Sequence, residues 1–100
     1  ILIEGLTISD GAWGIDAKNT QNVTIQRNKI QTVDFGIYNR RDNNWELNQT
    51  ICDNEIRGRV MWPGTGIPGE RGIDLRGTGN IVCYNEVQQF SCSTPRDALI

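Results

Sequence analysis

The sequence predicts an all-β fold: a right-handed parallel β-helix (solenoid) of about four coils, with three short strands in each. Three observations predict it. The motif apolar-x-x-Asn-x-apolar occurs three times, behind a degenerate first copy. Each copy is followed by a small residue and then an aliphatic one. Thirteen Ile and five Val stand against five Leu, and branching at Cβ stiffens χ1 and suits pleated strands.

The motif copies are Ile25, Asn28, Ile30; Ile51, Asn54, Ile56; and Val82, Asn85, Val87. The degenerate copy is Ile3, Leu6, Ile8. Their starts lie 22, 26 and 31 residues apart. The second landmark reads Gly14-Ile15, Gly36-Ile37, Gly72-Ile73 and Ala98-Leu99. From the last apolar residue of the motif to this aliphatic residue the gaps are 7, 7, 17 and 12. The pattern is constant where strands belong and elastic where loops belong.

In the second coil the expected strands are Val23 to Ile25, Lys29 to Gln31, and Gly36 to Tyr38. Alternation turns Ile25, Ile30 and Ile37 inward. Stacking coils at roughly 4.8 Å then builds three columns: Ile3/Ile25/Ile51/Val82, Ile8/Ile30/Ile56/Val87 and Ile15/Ile37/Ile73/Leu99. Asn28, Asn54 and Asn85 fall at a tight turn. There an inward amide can bond the next amide and the backbone groups the turn leaves unpaired. Leu6 interrupts that ladder.

The whole of 1–100 reads as one segment of a longer solenoid, with long loops at 39–47, 57–71 and 88–97. The chain opens at Ile1 without a signal pattern and stops at Leu99 and Ile100 inside a repeat, so the remaining coils of the same chain are expected partners. A net charge of −2 gives no electrostatic reason for a nucleic-acid partner. No apolar run approaches the roughly 18 residues of a membrane span.

The stretches Asn22-Val23-Thr24-Ile25 with Asn28 and Ile30, Asn48-Gln49-Thr50-Ile51 with Asn54 and Ile56, and the Gly-Ile pairs resemble the repeats of the pectate lyase-like superfamily. These repeats include carbohydrate-binding and sugar-hydrolase domains. The resemblance covers essentially the whole chain. It implies an extracellular or periplasmic protein that engages a polysaccharide along its Gly-Ile strands. A leucine-rich repeat shares the strand-and-Asn core. Against it stand the scarcity of Leu, the missing apolar pair upstream of the strand, and a spacing of 31 where such repeats run roughly 20–29.

On the Gly-Ile strands the outward positions are Asp16, Tyr38 and Asp74, with Lys18, Arg40 and Arg76 two residues further on. The expected surface is an acid/aromatic column beside a cationic one. It suits an anionic or neutral glycan: Arg forks pair with carboxylates, Tyr stacks on sugar rings, and paired Asp can hold Ca²⁺. The resemblance implies a uronate lyase or epimerase in which Asp16 and Asp74 ligate Ca²⁺ and Arg76 or Arg40 acts as base. Arg stays protonated in proteins, so that role needs an unusual site. Asp16 and Asp74, roughly 10 Å apart, are wide even for inverting hydrolysis. The chain contains no His, so the His-bearing signatures of the family's galacturonases and epimerases are absent. Exposed charges on a solenoid can equally serve solubility and block edge pairing. The alternative reading is accordingly a non-catalytic glycan-binding, adhesion or tailspike-like rod.

Trp62, in the loop Arg57 to Arg71, is either a sugar platform or packing beneath its own loop. A second loop holds Arg40, Arg41, Asp42 and Trp45. Trp13 and Phe35 each precede the Gly of a Gly-Ile pair and are expected to stack as a small outer cluster. Cys52 and Cys83 occupy equivalent positions, roughly 5 Å apart across adjacent coils. They are either reduced or bridged, with Cys83–Cys92 the other pairing. The two sequons at Asn22 and Asn48 follow from a repeat that wants Asn at a bend and Thr on the strand.

Overall fold

In a computed structural model, residues 1–40, 46–58 and 71–88 are described. They form nine strands: β1 Leu2–Glu4, β2 Thr7–Asp16, β3 Thr24–Gln26, β4 Lys29–Arg40, β5 Thr50–Cys52, β6 Glu55–Gly58, β7 Arg71–Arg76, β8 Ile81–Cys83 and β9 Glu86–Gln88. Among the described residues there is no helix, hence none long and apolar enough to cross a membrane. The fold is all-β, and every strand pairing is parallel. Sheet order is β1-β3-β5-β8 in one sheet and β2-β4-β6-β9 in the other, with β7 beside the second half of β4.

The register follows the sequence copies. Ile3 pairs with Ile25, Ile25 with Ile51 and Ile51 with Val82. Ile8, Ile30, Ile56 and Val87 form a second line, and Ile15, Ile37 and Ile73 a third. Ile25, Ile30, Ile51 and Ile56 are completely buried, in one cluster with Val23, Val33, Ile37 and Ile73. Burying each such side chain contributes about 1.5–3 kcal/mol. Leu99 lies outside the described residues.

The turn amides stack as the spacing predicts. Asn54 Oδ1 accepts from Asn28 Nδ2 at 3.1 Å and from the Asn28 backbone N–H at 3.0 Å. Asn85 Oδ1 accepts both equivalent bonds from Asn54, each at 3.0 Å. Leu6, lacking a side-chain amide, joins the ladder through its backbone N–H, which donates to Asn28 Oδ1. The residues just before the ladder, Gly5, Arg27, Asp53 and Tyr84, all have φ between 52° and 72°. Asn22, Asn48 and Gly79, before the other end of the short strands, do the same at 59°, 51° and 76°. Asn and Gly tolerate this left-handed region best, which accounts for the sequon-like Asn22 and Asn48.

One expectation needs correction. Lys29–Gln31 and Gly36–Tyr38 are not separate short strands but two parts of β4, and β2 is equally continuous. The bend between them is made by Asp10 and Thr32, at φ 61° and 58°, which face each other across unbroken pairing from Ser9↔Gln31 to Gly11↔Val33. Because both strands bend together, their hydrogen-bond ladder survives. In the next row the two parts are separate, as β6 and β7. The expected loop boundaries also tighten. Asn39 and Arg40 end β4, Arg57 and Gly58 belong to β6, Arg71 to β7 and Gln88 to β9. Leu47 is fully buried and donates its N–H to Thr78 O at 2.9 Å.

Cys52 and Cys83 pair in register and form a disulfide. It closes a sequence separation of 31 residues, for which chain-entropy arguments give about 4 kcal/mol. Reduction, or Cys52→Ser, is expected to lower stability by about 2–4 kcal/mol in urea unfolding. Equal midpoints with and without reductant would contradict the bridge. Cys92 lies outside the described residues.

Candidate functional site

The site is the outer surface where β2, β4 and β7 lie side by side. Alternation breaks at the Gly-Ile pairs: Gly36 and Ile37 are both buried, so the chain turns a corner between them. A side chain at Gly14 would project 2.5 Å from Ile30 Cγ2 and 2.5 Å from the Gly36 carbonyl oxygen. Glycine is therefore required by close approach of backbone to backbone. The corner throws Trp13 and Phe35 outward on one side and Asp16, Tyr38 and Asp74 outward on the other.

Trp13 stacks on Phe35, ring centroids 4.3 Å apart and planes 15° from parallel. Tyr38 meets the same indole edge-on at 4.7 Å. The expected outer pair is thus a triad, and Trp13 keeps 41% of its surface exposed. Such geometries add about 0.5–1.5 kcal/mol beyond burial, so the platform is held firmly. Beside it, Lys18, Asn19, Tyr38 and Arg40 line an open hollow of about 240 Å³. Lys18 sits past the end of β2, where its N–H bonds Asp16 Oδ1 at 3.2 Å.

Asp16, Tyr38 and Asp74 stand in register, as do Arg40 and Arg76. Asp74, however, is only 3% exposed. Arg71 Nη1 reaches its Oδ2 at 3.0 Å, and Arg76 Nε lies 3.6 Å from its Oδ1. The Tyr38 row stands between Asp16 and Asp74, so the two carboxylates do not share one open site. No group of three or more His, Cys, Asp or Glu able to hold a metal forms among the described residues. Among the described residues, Lys18, Arg40, Arg71 and Arg76 gather around Asp16 and Asp74 at this end of the strands.

Sequence reasoning missed Arg71, which pairs with Phe35 as Phe35 pairs with Trp13. Its position two before Ile73 was the available signal. Trp62 and Trp45 lie outside the described residues. Compared with family models, curated proteins and solved structures, the chain matches none.

Proposed function

We propose that the chain is a section of a right-handed parallel β-helix of the pectate lyase-like type, and that the β2–β4–β7 face binds a polysaccharide. The observation that carries this reading is the double membership of Tyr38. It closes the aromatic triad around exposed Trp13 and also lines the hollow between Lys18 and Arg40. A sugar ring stacked on Trp13 would place its substituents at a cation-lined depression, a pairing that suits an acidic glycan. The disulfide supports an extracellular or periplasmic setting.

Binding without turnover is the better-supported form. Asp74 is already held by two guanidinium groups, and Arg76, a candidate base, is one of them. The catalytic form, a lyase or epimerase on a uronate polymer, is separated by ultraviolet absorbance. Unsaturated products with or without Ca²⁺ would establish elimination. Their absence alongside measurable binding leaves the glycan-binding rod.

Calorimetry of the chain against neutral and acidic polysaccharides tests the proposal. Tyr38→Ala is expected to weaken binding about tenfold, or ~1.4 kcal/mol, with unchanged circular dichroism. Lys18→Ala should weaken only the acidic ligands and flatten their salt dependence. Failure of every polysaccharide to bind, or indifference to Tyr38→Ala, overturns it.

A further inference from the structure

The stacking of Trp13 on Phe35 fixes the direction in which a glycan crosses the face. The two residues are register partners in adjacent strands, so the line joining them runs across the rows, about 4.8 Å from one to the next. Their rings lie 4.3 Å apart and 15° from parallel. Rings stacked along that line turn their planes across it. A sugar stacked on Trp13 adopts the same plane, and equatorial glycosidic bonds leave a sugar ring close to its plane. The sugar chain is therefore led along the strands, not from row to row.

The chemistry of the face changes along that same direction. Trp13 and Phe35 form the aromatic end, and Tyr38 carries it to the hollow of about 240 Å³ that Lys18, Asn19, Tyr38 and Arg40 line. Phe35 and Arg40 are five residues apart on β4, at most about 17 Å in an extended strand. Asp16, exposed, stands between Trp13 and Lys18 in the β2 row. From row to row the chemistry fails to repeat. Beyond Phe35 the aromatic line meets Arg71, held by Asp74 at 3.0 Å. Tyr38 has Asp16 on one side and Asp74 on the other. Only the cationic line continues, and its next member, Arg76, lies 3.6 Å from Asp74.

We propose that the face takes a short stretch of an equatorially linked glycan laid along the strands. A neutral residue rests at the aromatic end and an adjoining acidic residue enters the hollow. This rests on the polysaccharide reading above and adds a direction and a composition to it. Asp16 sets the order of the two residues, because its carboxylate repels an acidic group at the aromatic end. Lys18 and Arg40 favour one at the other end. A polymer of uniform acidic residues meets one favourable position and one unfavourable one.

The test titrates the chain with oligosaccharides of alternating neutral and acidic residues, four and eight residues long. All-acidic and all-neutral chains of four are compared, by calorimetry and by nuclear magnetic resonance shifts. The alternating chain of four is expected to bind at least tenfold more tightly than either uniform chain. Eight residues should gain less than threefold over four, with the largest shifts at Trp13, Lys18, Tyr38 and Arg40. The inference is overturned if the all-acidic chain binds as tightly as the alternating one. It is also overturned if eight residues bind tenfold more tightly than four and shift Asp74 and Arg76 as strongly as Tyr38. Either result leaves glycan binding itself standing, whereas binding of no oligosaccharide or polysaccharide overturns both readings.

Discussion

Gly36→Ala is expected to lower folding stability by about 3 kcal/mol or more, the upper end of what overpacking costs. The added methyl would fall on the Gly72 carbonyl oxygen and 2.5 Å from Ile56 Cγ2. Neither neighbour can yield cheaply. The carbonyl belongs to β7, whose pairing with β4 fixes it from Phe35↔Arg71 to Arg40↔Arg76, and Ile56 is fully buried. Relief by shifting β4 would break its register with β2 on the opposite side. In a domain of this length such a loss lowers the melting temperature by roughly 10–25 °C. Gly5→Ala is the control. Gly5 has φ +72° but nothing within 4 Å of an added Cβ, so only the left-handed penalty of about 1–2 kcal/mol applies. Thermal unfolding in which Gly36→Ala costs no more than Gly5→Ala would contradict the close-packed glycine column.

Asn54→Leu carries the second large effect, about 4 kcal/mol. Leucine keeps the branched outline but is bulkier and cannot hydrogen-bond, so crowding adds to the polar loss. Asn54 is 1% exposed. Its Oδ1 accepts two bonds from Asn28, and its Nδ2 lies within 3.0 to 3.2 Å of Ile25 O, Cys52 O and Asn85 Oδ1. Removing it leaves the buried Asn28 N–H without an acceptor, and each such orphan costs about 1–3 kcal/mol. Position in the ladder grades the effect. Asn85→Leu should cost roughly half as much, because among the described residues Asn85 Nδ2 makes one bond, to Ile51 O. Urea unfolding that ranks the two substitutions equally would show that ladder position does not matter.

What could be read from sequence and what could not divide along physical lines. The aliphatic columns were legible because Ile25, Ile51 and Val82 recur at one phase relative to the turn Asn, and burial demands that phase. Continuity of β4 through Thr32 was not. A β-branched residue rarely takes positive φ, so its identity carries no signal of the bend. The amide corner at Gln49 and Asn80 was also hidden, since Val23 fills that place one row earlier. In the candidate site, the Asp16/Tyr38/Asp74 line followed from register alone. The burial of Asp74 did not, because it depends on Arg71 and Arg76 folding over a residue that alternation simply points outward. Tyr38 closing on Trp13 was likewise invisible. The two lie on opposite sides of a corner, and strand periodicity does not describe corners.

The parallel in-register stack is tested most directly by nuclear Overhauser effects between selectively labelled Ile and Val methyl groups and side-chain amides. Cross-peaks should link Ile25 to Ile51 and Ile51 to Val82, and the Asn28 amide protons should show contacts to Asn54. Methyl contacts that skip rows, or Asn28 and Asn54 amides lacking any shared neighbour, would contradict the stack and the proposed face built upon it.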